Sequence, residues 1–120
     1  MIIIAGKGYS LMWPQGSEIQ KFEWEEGSII VPPDNWFHQH FNAGNAPARY
    51  LALRWGNKKF LGVAKAYGVN DDVKKGGSQI EYANEDPRIH REFEEIIAKA
   101  GAACQMGAHH PGCTLKAAVA

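Results

Sequence analysis

Glycine and proline divide the first half of the chain into short segments. The close spacing of these residues constrains the fold more than any other feature. In residues 20–24 the rings of Phe22 and Trp24 alternate with the charged side chains of Lys21 and Glu23. Such alternation is typical of a strand with one buried face, and it predicts that Glu23 faces solvent. By the same signals, six strands are predicted over residues 2–4, 9–13, 20–24, 28–31, 36–42 and 49–54. The expected architecture is an antiparallel sandwich or barrel.

The first two of these segments are expected to pair with each other. Residues 2–4 form a β-branched run that is followed by the sequence Gly6-Lys7-Gly8. Glycines at this spacing are typical of a tight turn, so residues 9–13 would return as the second arm of a hairpin.

The second half of the chain has a different character. Residues 57–84 are polar and predict a long surface excursion, whereas a helix is predicted from Pro87 to about residue 100. Asp86 can cap its free N–H groups, and Gly101 ends it. Its apolar stripe, expected to pack as a cover on the sheet, consists of Ile89, Phe93, Ile96, Ile97 and Ala100. His90, near Glu94, is expected on the solvated face, and residues 107–120 are expected to be a loose tail.

Composition excludes several classes of function. A chain of 120 residues has room for one small domain, expected over residues 1–106. Its 13 basic and 13 acidic side chains balance, which argues against nucleic acid or an anionic membrane as a partner. The apolar run at the N-terminus is too short for a signal sequence or a membrane span, so a cytoplasmic location is expected. Two cysteines do not form a disulfide framework, and reduced thiols are expected.

The sequence PPDNWFHQHFN places two histidines one residue apart on the predicted fifth strand. Because residues i and i+2 of a strand point to the same side, His38 and His40 share a face with Trp36 and Asn42. Two interpretations stay open for the pair. The imidazoles either form hydrogen bonds within an aromatic-lined pocket, or they contact a metal ion such as zinc, copper, iron or nickel.

The spacing around these histidines resembles the second conserved motif of the cupin superfamily. The motif is carried by Gly27, Pro33, His38 and Asn42, with Asn35 at a position where glycine is usual. Asparagine is the residue that best replaces glycine where a turn needs a positive φ. The wider run over residues 1–106 is similar to bacterial cupin-domain proteins.

This resemblance implies a mainly β fold, a cupin-like double-stranded β-helix or jelly-roll barrel with one C-terminal α-helix. Cupins commonly hold a divalent ion with three histidines and a glutamate. The family's first metal motif precedes a turn that Gly6-Lys7-Gly8 matches, so by the family's spacing that motif falls upstream of Met1. The implied barrel is therefore truncated at its N-terminus, and His38 is the family ligand that carries over by position.

The resemblance further implies a small-molecule-binding protein with an incomplete or absent metal site. The expected pocket is lined by Trp36, His38, His40, Asn42 and Tyr50. His38 and His40 are its candidate ligands for a divalent iron, zinc, nickel or manganese ion. Two alternatives are a metal-dependent oxygenase, isomerase or decarboxylase whose site is completed by a partner chain, and a chain that complements a separately encoded piece carrying the first motif.

Partial barrels have open strand edges, and open edges pair readily with another chain. A homo-oligomer is therefore expected, and a closed two-fold dimer is favoured.

A second group of metal-binding residue types lies near the C-terminus, where Cys104, His109, His110 and Cys113 occur within ten residues. Two thiolates and two imidazoles suit a tetrahedral zinc site. The other interpretation of this segment is the loose tail described above.

Overall fold

The computed structural model describes residues 1–53 and 71–114. In these residues the protein is mainly β, with two antiparallel sheets and one α-helix toward the C-terminus. The elements are β1 (Ile2–Ala5), β2 (Gly8–Pro14), β3 (Gln20–Trp24), β4 (Trp36–Asn42), β5 (Arg49–Leu51) and α1 (Pro87–Lys99). The predicted mainly β class with a C-terminal helix is confirmed. The described strands form two separate sheets and no closed barrel.

Contacts within the chain define two compact units. In the described part, the first unit consists of residues 1–53 and 93–103, and the second consists of residues 71–92 and 104–114. All five strands belong to the first unit. A single domain over residues 1–106 stays a prediction.

The larger sheet has the strand order β3-β2-β4, so β2 is its central strand. Ser10 on β2 lies opposite Phe22 on one side and opposite His40 on the other. Directly opposed residues of antiparallel strands point to the same face. The register therefore sets which side chains of β4 can meet those of β2 and β3.

The predicted hairpin between the first two strands is wrong. β1 pairs with β5, where Ile2 lies opposite Leu51, and the two strands form a sheet of their own. The other edge of β1 contacts residues 27–30, since Ile3 N donates to Ser28 O and Ile30 N donates to Met1 O. Both edges of β1 are thus occupied by distant segments, and β2 pairs elsewhere.

Residues 28–31 form a single bridge, Ile2 opposite Ile29, in place of the predicted strand. Pro32 and Pro33 follow directly, and a proline has no N–H to extend a ladder of hydrogen bonds. The predicted strand over residues 49–54 is also shorter, because β5 ends at Leu51, and residue 54 lies outside the described residues.

Asn35, at the start of the histidine strand, has a φ of 63°. The prediction that this asparagine replaces glycine at a positive-φ turn position is confirmed. The turn ends immediately before β4 begins at Trp36.

The two faces of the larger sheet are buried by different groups. Trp24 and Met12 pack with Ile3 and Ile30 on one side, and Trp36 packs against this cluster. Trp24 also lies over Gly8, where an added Cβ would come within 2.5 Å of the indole and 2.0 Å of Phe41 O. This position therefore requires glycine.

The opposite face of the sheet carries Tyr9 and Phe41, which stack with a centroid separation of 4.8 Å. Phe93 of α1 lies 5.4 Å from Phe41, and both belong to the first unit. The expected packing of the helix stripe on the sheet is confirmed for this contact.

The start and end of α1 follow the predicted signals. Asp86 Oδ1 accepts a hydrogen bond from Arg88 N, as an N-cap residue does, and Gly101 has a φ of 77°. The hydrogen bonds and charge of Arg88 lower the pKa of Asp86. Glu23 on β3 is exposed, as predicted.

The described part of the second unit has short 3₁₀ turns at Val73–Lys75 and Tyr82–Asn84. Asp72 organises both, because its carboxylate accepts hydrogen bonds from Lys74 N, Glu81 N and Asn84 Nδ2. These hydrogen bonds lower the pKa of Asp72, and the one from Glu81 has the largest effect. Residues 71–84 of the expected surface excursion are therefore tied together, and residues 57–70 lie outside the described residues.

Among the residues that the structure describes, no helix combines the length and the apolar character needed to cross a bilayer.

Candidate functional site

A chain of hydrogen bonds on the larger sheet, with Ser10 at its centre, ends at His40. The Nδ1 atom of His40 is 2.7 Å from Ser10 Oγ, and Trp24 Nε1 donates to the same hydroxyl oxygen at 3.0 Å. All three residues are at least half-buried, and Ser10 is completely so. Because Nδ1 is engaged, Nε2 is the atom through which His40 would bind a metal ion or a ligand.

The surroundings of His40 keep its ring neutral. Burial, followed by the charges of His38 and the N-terminal ammonium, lowers the pKa of His40 from 6.5 to about 4. At neutral pH the imidazole therefore carries no charge, which is the protonation state that metal ligation requires.

The other predicted pocket residues lie in different surroundings. The His38 ring is 5.4 Å from that of His40, and the Tyr50 ring is 6.3 Å from it. His38 is exposed, and Tyr50 is 52% exposed. Trp36 packs against the apolar cluster. Asn42 closes its own turn, since its amide donates to Ala46 O and accepts from Gly44 N.

A separate cavity of about 670 Å³ opens in the first unit. None of the five predicted pocket residues lines it. Its charged lining consists of Lys7, Lys21, Lys99, Glu23 and Glu25, and Tyr9 and Trp24 contribute aromatic surface. This cavity cannot be recognised from the sequence, because α1, which supplies Lys99, is far from β3 in sequence.

Lys21 has a defined position on the wall of this cavity. Its Nζ lies 4.5 Å from the centroid of the Tyr9 ring, within the range of a cation–π contact. The contact holds one ammonium group over an aromatic surface. A ligand that enters the cavity would therefore meet a positive charge beside an apolar wall.

The second unit brings together metal-binding side chains from three places in the sequence. Cys113 Sγ lies 3.4 Å from Cys104 Sγ, and Cys104 Sγ lies 3.7 Å from His90 Nε2. The three residues are 2%, 8% and 4% exposed, respectively, and the two cysteines form no disulfide. The prediction that His90 is solvated is wrong.

His90 could have been found from its spacing. It precedes Phe93 by three residues and Ile97 by seven, which places it on the apolar stripe of the helix. His109, a predicted member of the zinc group with the two cysteines, is exposed. Residues 107–114 of the expected loose tail form consecutive turns in which His110 and Cys113 are buried, and residues 115–120 lie outside the described residues.

His110 packs beside this cluster in a fixed orientation. Gly112 N donates to its Nδ1 at 3.0 Å, so a neutral ring carries its proton on Nε2, which lies 3.2 Å from Glu85 Oε1. The rings of His110 and His90 stack at 3.8 Å.

Among residues 1–53 and 71–114, two groups of side chains could hold a metal ion, and both include His90. One consists of His90, Glu94, Cys104 and Cys113, and the other consists of Glu85, His90 and His110. Neither includes His38 or His40, so the predicted pair finds no third ligand in the described part of the chain.

Comparisons of the chain with protein-family models, with curated proteins and with solved structures found no match.

Proposed function

We propose that the protein is a cupin-like small-molecule-binding protein whose ligand enters the cavity of the first unit. The second-motif resemblance and the short antiparallel strands support the cupin-like fold. The cavity itself carries the proposal of binding, since its volume of about 670 Å³ falls within the range of small-molecule sites.

The lining of the cavity favours a small organic anion with an apolar part. Three lysines face two glutamates, which leaves an excess of one positive charge. Tyr9 supplies apolar surface next to Lys21, and Trp24 supplies a further aromatic surface of the lining. A carboxylate could pair with an ammonium group while its carbon skeleton lies against the rings.

Titration calorimetry with a panel of small aliphatic and aromatic carboxylates would test this function. For any carboxylate that binds, Lys21→Gln should weaken the affinity about fivefold, the equivalent of one partly exposed charge contact of about 1 kcal/mol. Lys75→Gln is the matched control, because Lys75 is an exposed lysine of the second unit. Absence of binding across the panel, or equal effects of the two substitutions, would contradict the proposal.

A metal-dependent cupin enzyme completed by a partner chain is the second candidate. The observation that favours it is the neutral, oriented imidazole of His40 beside His38. In that case iron, zinc, nickel or manganese would bind at β4, and the metal content would depend on His38 and His40. Elemental mass spectrometry of His38→Ala/His40→Ala would test this candidate, because that variant should lose the metal.

We further propose a homodimer. Among the described residues, β3, β4 and β5 each have one edge without a partner strand. Large apolar side chains are exposed on the first unit, namely Ile4, Phe22, Ile29, Val31, Tyr50, Leu51 and Leu53. Open edges beside exposed apolar surface favour association with a second chain.

A further inference from the structure

Three buried side chains of the second unit, His90, Cys104 and Cys113, have no part in the small-molecule function. Their ligand atoms lie within 4.8 Å of one another. They come from α1 and from the segment that follows it, so their convergence is a product of folding and is separate from the cavity and from β4.

We propose that His90, Cys104 and Cys113 bind one zinc ion. With Zn–S near 2.3 Å and Zn–N near 2.05 Å, tetrahedral geometry puts two sulfurs about 3.8 Å apart and a nitrogen and a sulfur about 3.6 Å apart. The corresponding separations here are 3.4 Å and 3.7 Å. These two separations therefore differ from those around zinc by a few tenths of an ångström, and the third, between Cys113 and His90, is within 4.8 Å.

Cys104 Sγ accepts a hydrogen bond from the backbone. Met106 N points its hydrogen at Cys104 Sγ from 3.4 Å, and an N–H donor stabilises negative charge on sulfur. A cysteine that only fills apolar space needs no such donor. Two sulfur ligands and one imidazole match zinc better than magnesium, calcium or manganese, which prefer oxygen.

The alternative group of Glu85, His90 and His110 is less suited to a metal. Both nitrogens of His110 are already used, Nδ1 by Gly112 N and Nε2 by Glu85. We assign His110 instead to positioning, since its ring stacks on His90 at 3.8 Å while Glu85 holds it in place. Loss of a residue that holds a metal ligand in position commonly lowers the metal affinity by about 10–100-fold.

His90, Cys104 and Cys113 leave a fourth position of the tetrahedron, and Glu94 of α1 belongs to the same group of side chains. Because zinc binds thiolates, uptake at neutral pH releases protons from the cysteines. The ion would link α1 to the turns of residues 104–113 and thereby stabilise the second unit.

Elemental mass spectrometry on the untagged, reduced full chain would test the site. We expect about one zinc per chain. Cys113→Ser and His90→Gln should lose the metal, whereas His109→Gln, which changes the exposed neighbouring histidine, should retain it. His38→Ala/His40→Ala should also retain it, and loss of the metal in that variant would instead assign the ion to β4 and overturn this proposal.

Replacing zinc with cobalt allows the site to be tested in the unaltered chain. The result therefore does not depend on whether a variant folds. Co²⁺ bound by Cys104 and Cys113 should show intense thiolate-to-cobalt charge-transfer absorption, and zinc should displace it. His110→Ala should keep this spectrum while its zinc affinity falls by about 10–100-fold.

A metal-free chain, a cobalt form without thiolate absorption, or full metal content in Cys113→Ser would each overturn the site. The proposed small-molecule function would survive all of these outcomes, because it depends on the cavity of the first unit.

Discussion

The exposure and the contacts of a histidine in this fold depend on its position in the chain. His38 and His109 are exposed, whereas His90 and His110 are buried and stacked on each other. His40 is the intermediate case, half-buried and bonded to Ser10. Two-residue periodicity predicts that His38 and His40 share a face, but it does not predict their different exposure, which depends on the segments that pack nearby.

The low pKa of His40 predicts a pH dependence of stability. In the unfolded chain this imidazole takes up a proton near pH 6.5, whereas in the folded chain its pKa is about 4. Its contribution to stability is therefore complete above pH 6.5 and is lost progressively as the pH falls to 4. The free energy of unfolding measured in urea should fall more between pH 7 and pH 5 for the native chain than for His40→Gln.

The control for this measurement is His109→Gln, which removes an exposed histidine and should leave the pH dependence of the native chain unchanged. An NMR titration of His40 with a midpoint near its ordinary value, or identical pH dependence in all three proteins, would refute the prediction.

At the scale of elements, the sequence correctly predicts the features that depend on interactions between neighbouring residues. The strand at residues 20–24, the positive φ at Asn35 and the Asp86 cap all depend on residues close in sequence, and each is confirmed. The buried face predicted for that strand holds for Trp24 only, since Phe22 is 39% exposed. Strand pairing was not predictable in this way. β1 could pair with any compatible edge, and its choice of β5 depends on contacts that adjacent residues do not encode.

The same limit applies to the candidate site. Residue type alone identifies the two cysteines, whereas the polar side chain of His90 favours a solvated helix face and its spacing favours the buried one. The cavity depends on the packing of α1 against the larger sheet, which the sequence predicted only as a cover.

Close packing around β2 predicts a large difference between two glycine substitutions. Gly8→Ala would place a Cβ 2.0 Å from Phe41 O and 2.5 Å from the Trp24 ring. Gly16→Ala meets no atom within 4 Å, and its cost comes from a φ of +78°. We expect Gly16→Ala to lower the free energy of unfolding by about 1–2 kcal/mol and Gly8→Ala to lower it by more than about 4 kcal/mol.

Urea denaturation followed by tryptophan fluorescence would measure both free energies. Equal losses of stability would mean that the strand can shift to accommodate a methyl group at position 8.

At the scale of the whole molecule, the exposed apolar side chains of the first unit predict association. Leu51 is 51% exposed on β5, whose other edge has no partner strand among the described residues. Light scattering during size-exclusion chromatography should give the mass of a dimer at micromolar concentration. Leu51→Lys should shift the protein toward the monomer, because a charge on this edge opposes pairing.

Gln105→Lys adds the same charge at an exposed position of the second unit and should leave the dimer intact. A native chain that remains monomeric throughout the concentration range would exclude the homodimer.

The pairing of β1 with β5 also determines the order in which the sheets can form during synthesis. Every strand of the larger sheet is complete once residue 42 has been made, whereas Ile2 must wait for Leu51. Contacts between such distant residues form slowly, because closing the intervening loop costs entropy. On the ribosome, β1 can therefore contact residues 27–30 early, but it pairs with β5 only after all three strands of the larger sheet have been made.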